Sequence, residues 1–109
     1  MIQGFNFNNV RDQLKVAGII ANEEELSVLF GKGPSYVSSR KSKNEPPSFD
    51  ALTHLAFNLQ HELSVLESDI RQGHDVTEST FAAAKVLYEL QKQLFADLRQ
   101  AVMEVRNGS

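Results

Sequence analysis

The sequence contains no cysteine, which excludes disulfides and thiolate metal sites and fits a reducing compartment. No apolar run approaches the ~20 residues that a membrane-spanning helix needs. The opening stretch MIQGFNFNNVRD lacks the basic start and apolar core of a signal peptide. A soluble, cytoplasmic protein is therefore expected. Catalytic signatures are missing as well: there is no GxSxG elbow, Walker loop, dinucleotide fingerprint or HExxH pair. The three histidines do not gather. His54 and His61 fall on one helix about 10 Å apart, too far to share an ion, and His74 falls in a turn. Glu62, Glu67 and Asp69 lie on a polar helix face, where solvation accounts for them. The expectation is a non-enzyme with no cofactor and no metal.

Proline is scarce. The three in 109 residues are Pro34, Pro46 and Pro47, so helix is interrupted by proline at only two places. Hydrophobic residues make up 41% of the chain, enough for one ordinary folded domain. Net charge is −3, which by itself speaks mildly against nucleic acid, since nucleic-acid-binding domains are usually basic. The distribution is uneven, however. Residues 32–43 hold Lys32, Arg40, Lys41 and Lys43 and no acid, a local +4 that leaves −7 for the remainder. A single basic patch on an acidic body favours one face towards DNA.

Periodicity predicts helices throughout. In residues 7–21, Phe7, Val10, Leu14 and Ala17 share one side, Gly18 marks the helix end, and Ile19 and Ile20 plug the core. Asn22 with Glu25 forms a capping-box-like start to a helix over 23–30, with three glutamates at the positive end of its dipole. Leu26, Leu29 and Phe30 point inward, and Gly31 stops the helix. After the turn at 31–33, residues 34–42 (PSYVSSRKS) form a short polar helix with Pro34 in its first turn. So polar a helix has little reason to exist in a core. It suits a surface helix used for binding, the alternative being a solvated basic loop.

Residues 43–47 connect to a helix capped by Ser48. Leu52, Leu55, Ala56, Leu59, Leu63, Leu66 and Ile70 mark its apolar stripe. Residues 71–78 form a turn, and a last helix covers 79–106. That helix carries two adjoining seams. Leu87, Leu90, Leu94 and Ala101 form one, and Phe81, Ala84, Tyr88, Phe95, Leu98, Val102 and Val105 nearly follow a heptad. One seam packs on the long helix. The other is an expected homodimer interface made by Phe81, Tyr88, Phe95, Leu98, Val102 and Val105, the alternative being simple packing over the first domain.

Three segments, EELSVLFG (residues 24–31), PSYVS (34–38) and PPSFDALTHLAFNL (46–59), resemble the phage lambda repressor and Cro type of helix-turn-helix family, in that order and without gaps. The likeness extends loosely to residues 10–21 and ends near residue 66. It implies an all-α, lambda-repressor-like domain of four helices, the fourth long, over residues 1–60. A helical hairpin completed by the C-terminal helix over 61–109 then serves dimerisation. It also implies double-stranded DNA as partner, read by the helix at about 34–42. Ser35, Ser38 and Ser39 would face base edges, and Lys32, Gly33, Tyr36, Arg40, Lys41, Lys43 and Asn44 would contact phosphate. The chain departs from the family at three positions. Glu23 stands where the family often carries a phosphate-touching glutamine, Arg40 where it buries an aliphatic, and Pro34 where a residue often reads bases. The implied function is a small dimeric transcriptional regulator. The alternative is a helical protein-interaction or antitoxin-like module that has lost DNA affinity.

Overall fold

Local capping chemistry marks the ends of α1, α2 and α4 among the five helices of a computed structural model that describes residues 5–73 and 76–107. The expected turn residue His74 and the outer ends of the two expected segments lie outside the described residues. Helix α1 (Phe7–Val16) begins at Asn6, whose side-chain oxygen accepts the Asn9 N–H at 2.9 Å. It closes before Gly18 (φ 77°), earlier than residue 21, and Ile20 turns into the core. Helix α2 (Glu23–Leu29) begins at Asn22, which accepts the Glu25 N–H, while the Glu25 carboxylate accepts the Ala21 N–H, each at 3.0 Å. The reciprocal box is thus displaced by one residue from its usual partner, with both backbone donors satisfied.

Helix α3 (Tyr36–Ser42) is shorter than the 34–42 expected, because Pro34 stays in the connection and Ser35 caps without a side-chain hydrogen bond. It ends at Asn44, whose φ of 54° is left-handed. The N–H groups of Asn44 and Glu45 return to the carbonyls of Lys41 and Arg40, which satisfies carbonyls that a helix end leaves open. Helix α4 (Phe49–Gln72) is capped by the Ser48 hydroxyl and closed by Gly73 at φ 71°. It passes unbroken through residues 60–61. Helix α5 (Glu78–Asn107) has 30 residues, about 45 Å at 1.5 Å per residue, against a longest molecular dimension of 49 Å. It is the spine of the molecule. All five elements are helical, there is no strand among the described residues, and no helix among them is long and apolar enough to cross a membrane.

A single apolar core joins all five helices. Leu14 of α1, Leu26 and Phe30 at α2, Val37 of α3, Leu52, Leu55 and Leu59 of α4, and Leu87, Leu90 and Leu94 of α5 belong to one cluster. The α5 seam expected to pack inward does so, against α4 and also against α1. Phe5, Phe7 and Phe30 add an edge-on aromatic group, a favoured ring arrangement, with Tyr36 tilted against Phe30, at centroid separations of 5.0–6.2 Å. Gly31 sits where a side chain has no room: its φ is 75° and a Cβ would lie 2.8 Å from the His54 ring.

The α2–α3 pair is tied by one buried hydroxyl. Ser27 is fully buried; its Oγ accepts the Val37 N–H at 3.0 Å and donates to the Glu23 carbonyl at 3.4 Å. The Val37 N–H belongs to the first turn of α3, which has no intrahelical partner to offer it. Ser27→Ala would strand that donor away from water. It is expected to destabilise the fold by about 1–3 kcal/mol in urea titration and to speed hydrogen exchange at Val37. Wild-type stability and exchange in that variant would contradict this role.

Candidate nucleic-acid interface

Helices α2 and α3, joined by residues 30–35, form the unit on which the DNA-facing residues were expected. Val37 alone is buried within α3, with Tyr36 and Arg40 half-buried, so the remainder of the helix faces solvent. Ser35, Ser38 and Ser39 are all exposed, as base reading requires, and so is Gly33. The expected phosphate contacts fare differently, because most of the polar groups already have partners within the chain.

Lys32 Nζ lies 3.0 Å from the Asp50 carboxylate at the start of α4. That hydrogen bond holds the Asp50 carboxyl below its ordinary pKa. Tyr36 accepts the Ser48 N–H at 3.0 Å through its hydroxyl, so this group supports the α4 N-terminus. Arg40 pairs with Glu45 at 2.5 Å and lies over the Tyr36 ring, 5.3 Å from its centroid. The half-buried Arg40 is thereby accommodated: its stem covers the ring and its charge turns to a carboxylate at the surface. Lys41 Nζ reaches both Asn8 at 2.8 Å and Glu23 at 2.6 Å. Asn44 occupies the left-handed position that ends α3. Lys43 alone of the four basic residues in this run is exposed with no ion pair among the described residues.

Glu23 is the hub of this face. Besides Lys41 it accepts from Arg11 of α1 at 3.0 Å, and Arg11 in turn meets Asp12 at 2.9 Å. Three helices are therefore joined through one carboxylate. Its pKa is lowered first by the Lys41 hydrogen bond and then by Arg11, against the opposing effect of burial. Arg11, Asn8, Glu45 and Asp50 were not singled out from the sequence. Their partners lie 12, 33, 5 and 18 positions away, so no helical (i, i+4) signal announces them.

The outer face of α5 is the second surface expected to act. Phe81, Tyr88, Phe95, Val102 and Val105 are exposed, and Leu98 is half-buried against the core. Phe49 and Phe57 of α4, which the α4 apolar stripe did not include, are exposed as well, and they line a groove with Phe95 and Val102. His54 packs near Gly31 and hydrogen-bonds the Asp50 carbonyl at 3.1 Å; no cluster of metal-ligating side chains occurs among the described residues.

A group with a depressed folded pKa stabilises fully above its unfolded pKa, and that contribution is lost as pH falls through the folded value. Thermal melts of the wild type should therefore fall off on acidification below the ordinary glutamate range as the Glu23 links to Lys41 and Arg11 break. Glu23→Gln should flatten that part of the profile. An unchanged acid limb in the variant would remove Glu23 from the account.

No curated protein and no solved structure matches the chain significantly. One family model matches residues 7–107, from the first residue of α1 to the last of α5, and by that match the chain belongs to DUF6626, a family of unknown function.

Proposed function

We propose that this chain binds double-stranded DNA through a lambda-repressor-like helix-turn-helix formed by α2 and α3, as a transcriptional regulator acting in the cytoplasm. The observation that carries this function is the character of α3. It is a seven-residue helix with one buried side chain and an outer face of serines and cations, held to α2 by the buried Ser27 hydroxyl. Such a helix contributes little to the core, and its rigid attachment suits presentation to a groove. Ser35, Ser38 and Ser39 are short donors and acceptors that tolerate several bases, so direct readout is weak and DNA shape contributes.

Phosphate contact through Lys32, Arg40 and Lys41 requires exchange of their present carboxylate partners. Surface ion pairs of this kind are worth about 0–1 kcal/mol, so a phosphate can compete for each cation. Lys43 needs no exchange. A second function, a protein-interaction module without DNA affinity, is favoured by one observation: three of the four cations in the run are already neutralised internally.

Electrophoretic shift with random genomic fragments at low and moderate salt separates the two. Binding that weakens with salt is expected, and its complete absence at low salt would sink the DNA function. Lys41→Ala combined with Lys43→Ala should weaken binding and flatten its salt slope. Glu23→Gln should strengthen binding, since it frees Lys41 and Arg11 and removes a charge that repels phosphate. Weaker binding by Glu23→Gln would mean that α2 and α3 present a different face.

A further inference from the structure

Four cations follow α5 at strict seven-residue intervals: Lys85, Lys92, Arg99 and Arg106, all exposed. Each stands four residues after a member of the exposed apolar row, pairing Phe81 with Lys85, Tyr88 with Lys92, Phe95 with Arg99, and Val102 with Arg106. Residues four apart on a helix are neighbours on one side. The outer face of α5 is therefore two parallel stripes, one apolar and one cationic, repeating about every 10.5 Å. Lys85, Lys92 and Arg99 have no ion pair among the described residues. Glu89 lies between Lys85 and Lys92, and Asp97, between Lys92 and Arg99, accepts from Gln93 at 3.1 Å.

The C-terminal part of the apolar stripe borders a recess. Between α4 and α5 its Phe95 and Val102 form one wall of a groove of about 580 Å³. Phe49, Thr53 and Phe57 of α4 make the opposite wall, and Arg99 stands on the α5 rim. No Asp or Glu lines it. From Ala51 to Gln60 the α4 wall carries no formal charge apart from any on His54. The groove thus has an apolar floor and a charged rim of one sign on one side.

We infer that this groove docks an acidic amphipathic helix of a partner protein, whose apolar residues at i, i+3 or i+4, and i+7 enter between α4 and α5 and whose carboxylates flank them opposite Lys92 and Arg99. The heptad interval of both stripes is the repeat that a packed helix follows, and the sign of the rim selects its charge. A second copy of this chain, the occupant expected from the sequence, would bring its own cationic stripe beside this one, with like charges opposed along the seam. A lipid surface would leave the recess between Phe57 and Phe95 unfilled, because it meets convex faces. This inference does not depend on whether α3 binds DNA.

The probe is a three-heptad synthetic helix with leucine at a and d and glutamate at e and g, compared with the same peptide carrying lysine at e and g. Fluorescence anisotropy with the full chain should show binding of the glutamate peptide only, weakening as salt rises. Lys92→Glu combined with Arg99→Glu should invert the preference, with the lysine peptide bound at least ~10-fold more tightly than the glutamate peptide. Phe57→Ser with Phe95→Ser should abolish both, with circular dichroism reporting retained helix. Equal binding of the two peptides, or none by either, would overturn the inference. So would a dimer in light scattering that Phe95→Asp dissociates, which assigns the face to a second copy. Sedimentation with phosphatidylserine vesicles, lost on the same charge reversal while neither peptide binds, would assign it to a membrane surface.

Discussion

Leu87, Leu90 and Leu94 of α5 enter the same apolar core as Leu14 of α1 and Leu55 and Leu59 of α4, and the arrangement of the remaining helices follows from that burial. Neither α2 nor α3 is long enough to stand alone, since a helix of seven residues is well below the length at which isolated helices persist. They are held because Leu26, Phe30 and Val37 enter the core cluster that residues of α1, α4 and α5 complete. The side chains of a domain this size must be shared among all its elements if each is to be covered. Leu87, Leu90 and Leu94 of α5 share that core with residues of the first four helices.

The charge pattern follows a related constraint. A net acidic chain that concentrates four cations in twelve residues must either leave them to solvent or supply carboxylates from elsewhere. Here it supplies them to three of the four: Glu23 from α2, Glu45 from the connection after α3, and Asp50 from the first turn of α4, while Lys43 is left to solvent. These pairs add little to stability individually. Their effect is to position side chains. Glu23 brings Arg11 and Lys41 to one point, so the front of α2, the side of α1 and the end of α3 share a fixed polar network. One carboxylate orders the cations around it.

Helix α5 divides its circumference between two uses. The residues at 83, 87, 90, 94 and 101 face the core, and those at 81, 88, 95 and 102 face out. Both sets are apolar, so hydropathy alone does not tell which is which. The cationic stripe distinguishes them: Lys85, Lys92 and Arg99 adjoin the outward set, where their charges remain hydrated, and long cationic side chains tolerate this edge between apolar surface and water.

Local chemistry was legible in the linear chain. Asn22, Ser48, Gly31 and Gly73 mark helix ends through side-chain caps and left-handed backbone, which depend only on near neighbours. The inward positions of α2 and α4 followed from a 3.6-residue repeat for the same reason, and so did the all-helical class. Contacts between distant segments were not legible. Lys41 meets Glu23 and Lys32 meets Asp50 across 18 positions, and Phe57 comes beside Phe95 only because α4 and α5 pack together. The sequence by itself determined where helices start, stop and turn their apolar sides, since those are decided within a turn or two of chain. Only the tertiary structure decided which cations are occupied and which α4 residues stand beside the outward seam of α5, because both depend on the distance between residues that packing, not sequence spacing, brings together.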